Sequence, residues 1–181
     1  MTERIINIPD GVVVVVDGRE ILVRGPRGEL KKDFDDPRYN KAISLIKDND
    51  KIKIASESEK RKIKAVIGTI SKHIINMVLG VTKGFSYTMK IHYSHFPISV
   101  SVKDDKVQIK NIIGEKNARV ANVVGNVAIQ VEKDIIKISG IDIEDISQTA
   151  ANIEQVCKLS KRDRRIFQDG IYIVEKSHHE G

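Results

Sequence analysis

"EILVRGPRGELKKDF" (residues 20–34) has a partial copy 86 residues later, where "KVQIKNIIGEK" (106–116) again carries a strand-like run into Gly-Glu. The same shift places "VVVVV" (12–16) on "ISVSV" (98–102). A repeat determines the architecture of a chain, and a period of this length is too long for a solenoid. The sequence therefore predicts two tandem copies of one small domain, an N-terminal copy at residues 1–82 and a C-terminal copy at 83–181.

Strand periodicity is clearest in the second copy, where apolar residues alternate with polar ones. The alternation predicts one shared inner face: Ile98, Val100, Val102, Val107 and Ile109. Transferred by the 86-residue shift, the inner face of the first copy is Val12, Val14, Val16, Ile21 and Val23. The opposite face then holds Val13, Val15 and Leu22, and the sequence leaves open whether another element or a partner covers them. Further strands are predicted at 42–46, 51–55, 84–93, 127–131, 135–139 and 170–176.

Each copy then changes to a helical period. In the first, the apolar stripe ends at Gly80 and consists of Ile63, Val66, Ile67, Ile70, Ile74, Met77 and Val78. In the second, the stripe ends near Ser160 and consists of Ile146, Ala150, Ile153 and Cys157. Ser56, with Glu59 three residues on, and Asp142 are the predicted N-caps. The fold class predicted is α+β, with each copy an antiparallel sheet packed on one amphipathic helix.

The composition indicates a globular protein with a mild preference for polyanions. The net charge is +6, from 31 basic and 25 acidic residues, and both halves share the excess. No apolar run approaches the ~20 residues of a membrane span, and no signal peptide is visible. The single cysteine, Cys157, excludes an intramolecular disulfide and a cysteine-based zinc cluster and favours a reducing, intracellular compartment. With no Trp, four Phe and four Tyr, a surface that stacks single-stranded bases is not expected.

The turn at residues 25–28, Gly-Pro-Arg-Gly, fits a type I turn with proline at its second position. It places Arg27 at the tip, with Arg24, Lys31 and Lys32 nearby. Guanidinium groups on a rigid loop suit phosphate docking, but a solvated hairpin end has the same pattern. The Gly-x-x-Gly loop of KH domains is rejected because that loop joins two helices.

The densest positive charge lies in "KLSKRDRRIFQDG" (158–170), whose first eight residues hold one acidic residue, Asp163, and five cations: Lys158, Lys161, Arg162, Arg164 and Arg165. Cations at the end of a helix complement its dipole, which is a purely structural explanation. Five in eight residues exceed that need, so RNA contact and a solvated helix end both remain open.

Motifs of catalysis are missing from the sequence, which has no Walker loop, no GxGxxG, no GxSxG and no HExxH. His92 and His95 would point to opposite faces of a strand, which disfavours a shared metal ion. Cys157 continues the helical stripe and is predicted to be a small core residue. We therefore expect no enzymatic activity, no cofactor, no metal ion and no small-molecule substrate.

Four segments in order resemble the ribosomal protein L6 family of the large subunit, in the branch shared by archaea and eukaryotes, where the eukaryotic member is called L9. They are "VVVDGREILVRGPRGEL", "GVTKGFSYTMKIHYSHFPISV", "IKNIIGEK" and "RRIFQDGIYIVEK". The resemblance runs from about Ile5 to Lys176 and agrees with the duplication.

The resemblance implies a structural constituent of the large (60S) subunit that binds large-subunit rRNA near the sarcin–ricin loop and stalk base. Neighbouring ribosomal proteins are the other implied partners, with no membrane. It implies a cytoplasmic location in the ribosome, with nucleolar assembly in a eukaryote. A free RNA-binding or regulatory module built on the same duplicated domain is the alternative function.

The resemblance also implies that the C-terminal copy is the main RNA-binding domain and that His95 is architectural. The motifs carry RNA contacts to Lys110, Asn111, Lys116, Arg164, Arg165, Tyr172 and Lys176. The charge pattern adds Arg24, Arg27, Lys161 and Arg162 as candidate RNA-binding residues.

Overall fold

The computed structural model of the chain describes residues 2–37, 39, 42–159, 162–163 and 165–178. The chain divides into two compact units, Met1–Gly84 and Phe85–Gly181. In the described residues each unit combines antiparallel strands with one α-helix, which confirms the α+β fold class. Each unit holds two small sheets rather than the single sheet expected for a copy.

The first unit contains two three-stranded antiparallel sheets, ordered β1-β6-β5 and β2-β3-β4. Its elements are β1 Thr2–Asn7, β2 Val13–Asp17, β3 Glu20–Gly25, β4 Gly28–Asp33, β5 Ser44–Asp48, β6 Lys51–Ser56 and helix α1 Arg61–Thr82. The helix packs against β1, β3, β4 and β6, so the core lies between it and the two sheets.

The inner face predicted for the first unit is confirmed. Val14, Ile21 and Val23 are fully buried. Val12, just before β2, is buried with 9% exposure, and Val16 is half-buried. On the opposite face Val13 and Val15 are 58% and 46% exposed, whereas Leu22 is half-buried. The five-valine run therefore resolves into one inward and one outward set.

Helix α1 begins five residues later than the predicted cap. Ser56 ends β6, and its Oγ accepts a hydrogen bond from the backbone N–H of Ser58 at 3.1 Å, so the N-cap prediction at Ser56 was wrong. The N-cap is Lys60, whose side chain makes no capping bond. The helix runs past Gly80 to Thr82, and Gly84 at φ 75° ends it by donating its N–H to the Leu79 carbonyl at 3.1 Å.

By length and composition α1 could also cross a membrane, with a mean hydropathy of 1.4 over its most apolar window. The segment is not an uninterrupted apolar run, because Lys72 lies in its middle. Its apolar stripe is buried against the sheets, including Ile67 and Ile74 with no exposed surface. This is the pattern of a core helix that is apolar on one side only.

The second unit contains a four-stranded sheet, β11-β12-β7-β13, and a three-stranded sheet, β10-β9-β8, both antiparallel. Its elements are β7 Phe85–His92, β8 Ser99–Lys103, β9 Lys106–Lys110, β10 Arg119–Asn122, β11 Ala128–Glu132, β12 Ile135–Gly140, α2 Ile143–Val156 and β13 Gly170–His178. A short 3₁₀ turn, Ile112–Gly114, follows β9.

Two predictions for the second helix are confirmed. Asp142 is its N-cap and accepts the Glu144 N–H at 2.8 Å, and the predicted stripe of Ile146, Ala150, Ile153 and Cys157 is buried. Burial raises the pKa of the Cys157 thiol to about 12, as expected for a core residue.

Part of the predicted inner face of the second unit was wrong. Val107 and Ile109 are fully buried and Ile98 is buried, but Val100 is half-buried and Val102 is 41% exposed. Both lie on β8, at the edge of its sheet, whereas α2 packs chiefly on β7, β10, β12 and β13. The alternation of apolar residues predicts which side of β8 faces inward. It does not predict how much of that side α2 covers.

The turn between β3 and β4 is anchored on the end of α1. Pro26 and Arg27 form a two-residue connection between the paired Gly25 and Gly28. The Arg27 N–H donates to the Val81 carbonyl at 3.0 Å. A Cβ on Gly25 would lie 2.7 Å from Val81 Cγ2 and 2.8 Å from the Val81 carbonyl oxygen. Glycine is therefore required at 25 by close packing against the helix.

Substituting Gly25→Ala is expected to destabilise the protein by about 1–3 kcal/mol, because the new methyl group overpacks the last turn of α1. Urea denaturation of the full chain measures the change. The matched control is Gly68→Ala, since the nearest atom to a Cβ at that position is an Arg4 nitrogen at 4.0 Å. The control should stabilise by up to about 1 kcal/mol through helix propensity. Equal urea midpoints for Gly25→Ala and wild type would contradict the packing argument.

Candidate nucleic-acid interface

The tip of the β3–β4 hairpin holds the first predicted contacts. Arg24 Nε donates to Glu29 Oε2 at 2.8 Å, with both side chains well exposed. Lys31 pairs with Glu20 at 2.8 Å, and Lys32 Nζ lies 3.3 Å from His73 Nδ1. Arg27 is exposed, and its side chain has no polar partner among the residues that the structure describes. Of these cations, Arg27 is the one whose backbone is fixed and whose side chain is available for a phosphate. Exposed ion pairs such as Arg24–Glu29 are weak and exchange partners easily.

The matching loop of the second unit, residues 111–116, is fixed differently. Asn111 and Ile113 both adopt left-handed backbone conformations, at φ 65° and 47°. Asn111 Nδ2 donates to the Pro97 carbonyl at 3.0 Å, and Ile112 is buried at 1% exposure. A left-handed β-branched residue such as Ile113 costs free energy, so these anchors must impose the shape of the loop. One of the two amide N–H groups of Asn111 is therefore used within the protein.

Lys110 and Lys116 flank this loop and are exposed. Neither ammonium group has a polar partner in the described part of the chain. Two free cations therefore stand at the two ends of a rigid loop, an arrangement suited to neighbouring phosphates.

Arg119, which no sequence pattern indicated, joins this loop to the end of α2. Its Nη2 and Nε donate to the two carboxylate oxygens of Glu115 at 2.6 and 2.8 Å. Its Nη1 donates to the carbonyls of Val156 at 2.7 Å and Lys158 at 3.2 Å. The hydrogen bond from Arg119 lowers the pKa of Glu115 and keeps it ionised. The i, i+4 spacing of the pair would have been informative in a helix, but here it spans a loop and a strand.

The basic segment (residues 158–170) begins at Lys158, whose carbonyl accepts a hydrogen bond from Arg119. Lys158, Arg162 and Arg165 are exposed; Lys161 and Arg164, also predicted contacts, lie outside the described residues. The Arg165 side chain, 91% exposed, makes a long ion pair of 3.4 Å with Asp163. Hydrogen bonds from the Ile166 and Phe167 N–H groups to the Asp163 carbonyl form a tight turn here.

A buried aspartate fixes the far end of the segment. Asp169 is 2% exposed and accepts the Ser94 and His95 N–H groups at 3.2 and 3.3 Å and the His95 Nδ1 at 2.9 Å. Burial disfavours its charged form, but the hydrogen bonds from the His95 ring and from the two backbone groups outweigh this, so the pKa of Asp169 is lowered.

The His95 ring stacks on Phe167 with centroids 5.1 Å apart, and the Arg162 guanidinium lies 5.0 Å from the centre of the Phe167 ring. His95 thus acts as an architectural contact to the basic segment. Asp169 itself was missed, because its partners are 74 and 75 residues away in the sequence.

Two predicted contacts lie on β13. The Tyr172 hydroxyl donates to the Gln168 carbonyl at 3.0 Å, and its ring packs over Gly170. Lys176 Nζ lies 5.3 Å from the centre of the Tyr87 ring. Tyr172 therefore braces the end of the basic segment, while Lys176 is exposed beside an aromatic face.

In the second unit, the structure thus links the 111–116 loop and the basic segment through Arg119. The exposed cations of both project from backbone that is hydrogen-bonded in place. Among the described residues no group of three or more His, Cys, Asp or Glu side chains could hold a metal ion. The arrangement can neutralise phosphates.

Comparison with known proteins gives a consistent result. A family model described as "Ribosomal protein L6" matches the chain twice, at residues 8–84 and 96–170. Similar proteins named "Large ribosomal subunit protein uL6" occur in Methanothrix thermoacetophila (49% identical, covering 96% of each chain) and Ignicoccus hospitalis (47%, covering 95% of this chain and 93% of the relative). A third, from Methanocella arvoryzae, is 45% identical over 96% of this chain and 97% of its own length.

Substituting Asp169→Asn is expected to destabilise the protein by about 1–3 kcal/mol at pH 7, because a buried acceptor of three hydrogen bonds is replaced by a weaker one. The pKa of Asp169 is lowered in the folded state. Its stabilising effect is therefore complete above the unfolded value of about 4 and lost as the pH falls through the folded value. Urea denaturation at pH 7 and pH 3 should show the difference from wild type shrinking at the lower pH.

The matched control is Asp163→Asn, since Asp163 belongs to the same segment but is exposed. It should leave the urea midpoint close to that of wild type. A pH-independent effect of Asp169→Asn would show that the carboxylate charge does not stabilise this segment.

Proposed function

The chain belongs to the ribosomal protein L6 family, and on that premise we propose that it is a structural, non-enzymatic component of the large ribosomal subunit that binds large-subunit rRNA. The observation that carries the proposal is the match of this one family to both copies of the duplicated domain. The exposed cations on anchored loops support it, because rRNA offers phosphates at regular intervals.

The second unit, residues 83–181 in the predicted division, is proposed as the main RNA-binding domain. Lys110 and Lys116 would contact phosphates beside the 111–116 loop. Arg162 and Arg165 would contact phosphates along the basic segment. Arg119 and Asp169 order these loops before RNA arrives, so that less conformational entropy is lost on binding. Binding of this kind follows the shape and charge of folded RNA rather than its base sequence.

We propose that this contact lies near the sarcin–ricin loop and the stalk base, beside neighbouring large-subunit proteins, a location that the family resemblance supports. Arg27, at the hairpin tip of the first unit, would supply a separate phosphate contact. The protein would then work in cytoplasmic ribosomes; nucleolar assembly would apply only in a eukaryote.

The double substitution Arg162→Gln/Arg165→Gln is expected to weaken binding of the full chain to large-subunit rRNA. Each lost phosphate contact should reduce the slope of log K against log salt by about 0.7–0.9, so the pair should reduce it by about 1.4–1.8. Filter binding over a range of salt concentrations measures the slope.

The matched control is Lys103→Gln/Lys106→Gln, which removes two exposed charges from the β8–β9 hairpin and should leave the slope unchanged. Cosedimentation supplies a second readout: wild type should travel with large subunits in moderate salt. Recovery of wild type only in the free pool, with rRNA affinity intact, would favour a free RNA-binding or regulatory module instead.

A further inference from the structure

The two helices carry opposite charges although they occupy corresponding places in the two units. Residues 60–83, which contain α1 and its two caps, hold six Lys or Arg residues and no Asp or Glu. Residues 143–156, which form α2, hold three acidic residues and no Lys or Arg. Both helices bury an apolar stripe against antiparallel sheets, so the fold does not require this difference.

The charges of α1 lie on its exposed side. Arg61, Lys64 and Lys72 are exposed, and their spacing puts them opposite the buried stripe. Arg4 of β1 is exposed beside them, with one guanidinium nitrogen 4.0 Å from where a Cβ on Gly68 would lie. We name these four residues (Arg4, Arg61, Lys64 and Lys72) the α1 cationic face.

The α1 cationic face is poorly neutralised within the protein. None of its four side chains forms a salt bridge within 4.0 Å with an acidic residue in the described part of the chain. Lys64 feels the charge of Glu59, which precedes the helix. Two cations of the face stand at the positive end of the helix dipole, with no acidic residue in the first turn to offset them. Free α1 therefore carries repulsion that an external polyanion would relieve.

Gly68 gives an independent indication of close approach. A glycine in the middle of a helix is less stable than alanine. Apart from the chain neighbours of Gly68 and the helix's own backbone, no atom of the described residues comes closer than 4.0 Å to its missing Cβ. Packing inside the protein thus does not explain this glycine. Its absent side chain leaves the centre of the α1 cationic face flat.

We propose that the α1 cationic face is a second RNA-binding surface, which seats the first unit on phosphates of folded rRNA. The inference rests on the proposed function and extends it from the second unit to the first. From Arg61 to Lys72 the face runs about 16 Å along the helix, long enough for several phosphates.

A polyphosphate backbone fits this face better than the other classes of partner. The residues between the cations on this face are small: Ala65 and Thr69 are exposed and Gly68 is half-buried. No large aromatic or aliphatic anchor of the kind that dominates protein interfaces stands among them. A membrane surface would need a free apolar face, and the apolar stripe of α1 is already buried in the core.

The test compares three variants of the full chain for binding to purified large-subunit rRNA over a range of salt concentrations. Arg61→Gln/Lys64→Gln/Lys72→Gln should reduce the slope of log K against log salt by about 2–3, as three lost phosphate contacts would. Its melting temperature should be equal to or above that of wild type, because repulsion is removed. The matched control, Lys51→Gln/Lys103→Gln/Lys106→Gln, removes the same charge from exposed positions elsewhere and should retain the wild-type slope.

The third variant, Arg162→Gln/Arg165→Gln, separates this inference from the proposed function. If it weakens binding while the α1 variant binds like wild type, the inference is wrong and the proposed function stands. If wild type itself does not bind the rRNA, both are wrong.

Acetylation of lysines in assembled large subunits, read by mass spectrometry, gives a second measurement. Lys64 and Lys72 should be protected relative to the free protein, whereas Lys103 and Lys106 should stay reactive. Protection without any effect of the α1 variant on rRNA binding would identify a protein as the occupant and overturn the inference.

Discussion

Burial of one helical stripe against two small antiparallel sheets is the constraint on which each unit depends. A domain of 80 to 100 residues has little core to spare, so one helix must cover the inner faces of both sheets. The helix can bury only one side, and its opposite side stays on the surface. The outer faces of the sheets stay there too, as Val13 and Val15 show. Residues on these exposed surfaces are not constrained by the core, so their charges can differ between the two copies.

The last turn of a helix leaves carbonyls without a partner, and in both units one of them accepts a hydrogen bond from a group that lies in a candidate RNA-contacting loop or binds to one. In the first unit the Val81 carbonyl accepts the Arg27 N–H of the hairpin tip. In the second the Val156 carbonyl accepts from Arg119, which also holds Glu115 of the 111–116 loop. The same helix end is thus reached by a backbone group in one unit and by a side chain in the other. In both, a loop is held rigid by the core helix, although the glycine-proline turn of the first unit has no counterpart in the second.

Duplication also explains why the two units share a fold but differ in surface charge. Inward residues are constrained by packing in both copies, whereas outward residues are constrained only by what covers them. The face of α1 formed by Arg61, Lys64 and Lys72 lies on such outward positions, as does Glu144 of α2, while Asp145 and Glu154 of α2 are half-buried. Their opposite signs are consistent with two different surroundings for one kind of domain.

The sequence by itself determined the properties that depend on local period and spacing. These are the duplication, the inner faces around Ile21 and Val107, the two helical stripes, the Asp142 cap and the buried Cys157. Only the tertiary structure decided which groups meet across the chain. It showed β1 pairing with β6, the exposure of Val102 at an uncovered edge, and the bonds that Asp169 accepts from Ser94 and His95. The reason is physical. A helical or strand period is a pattern among neighbouring residues, so the sequence shows it directly, whereas no local pattern links a carboxylate to a partner 74 residues away.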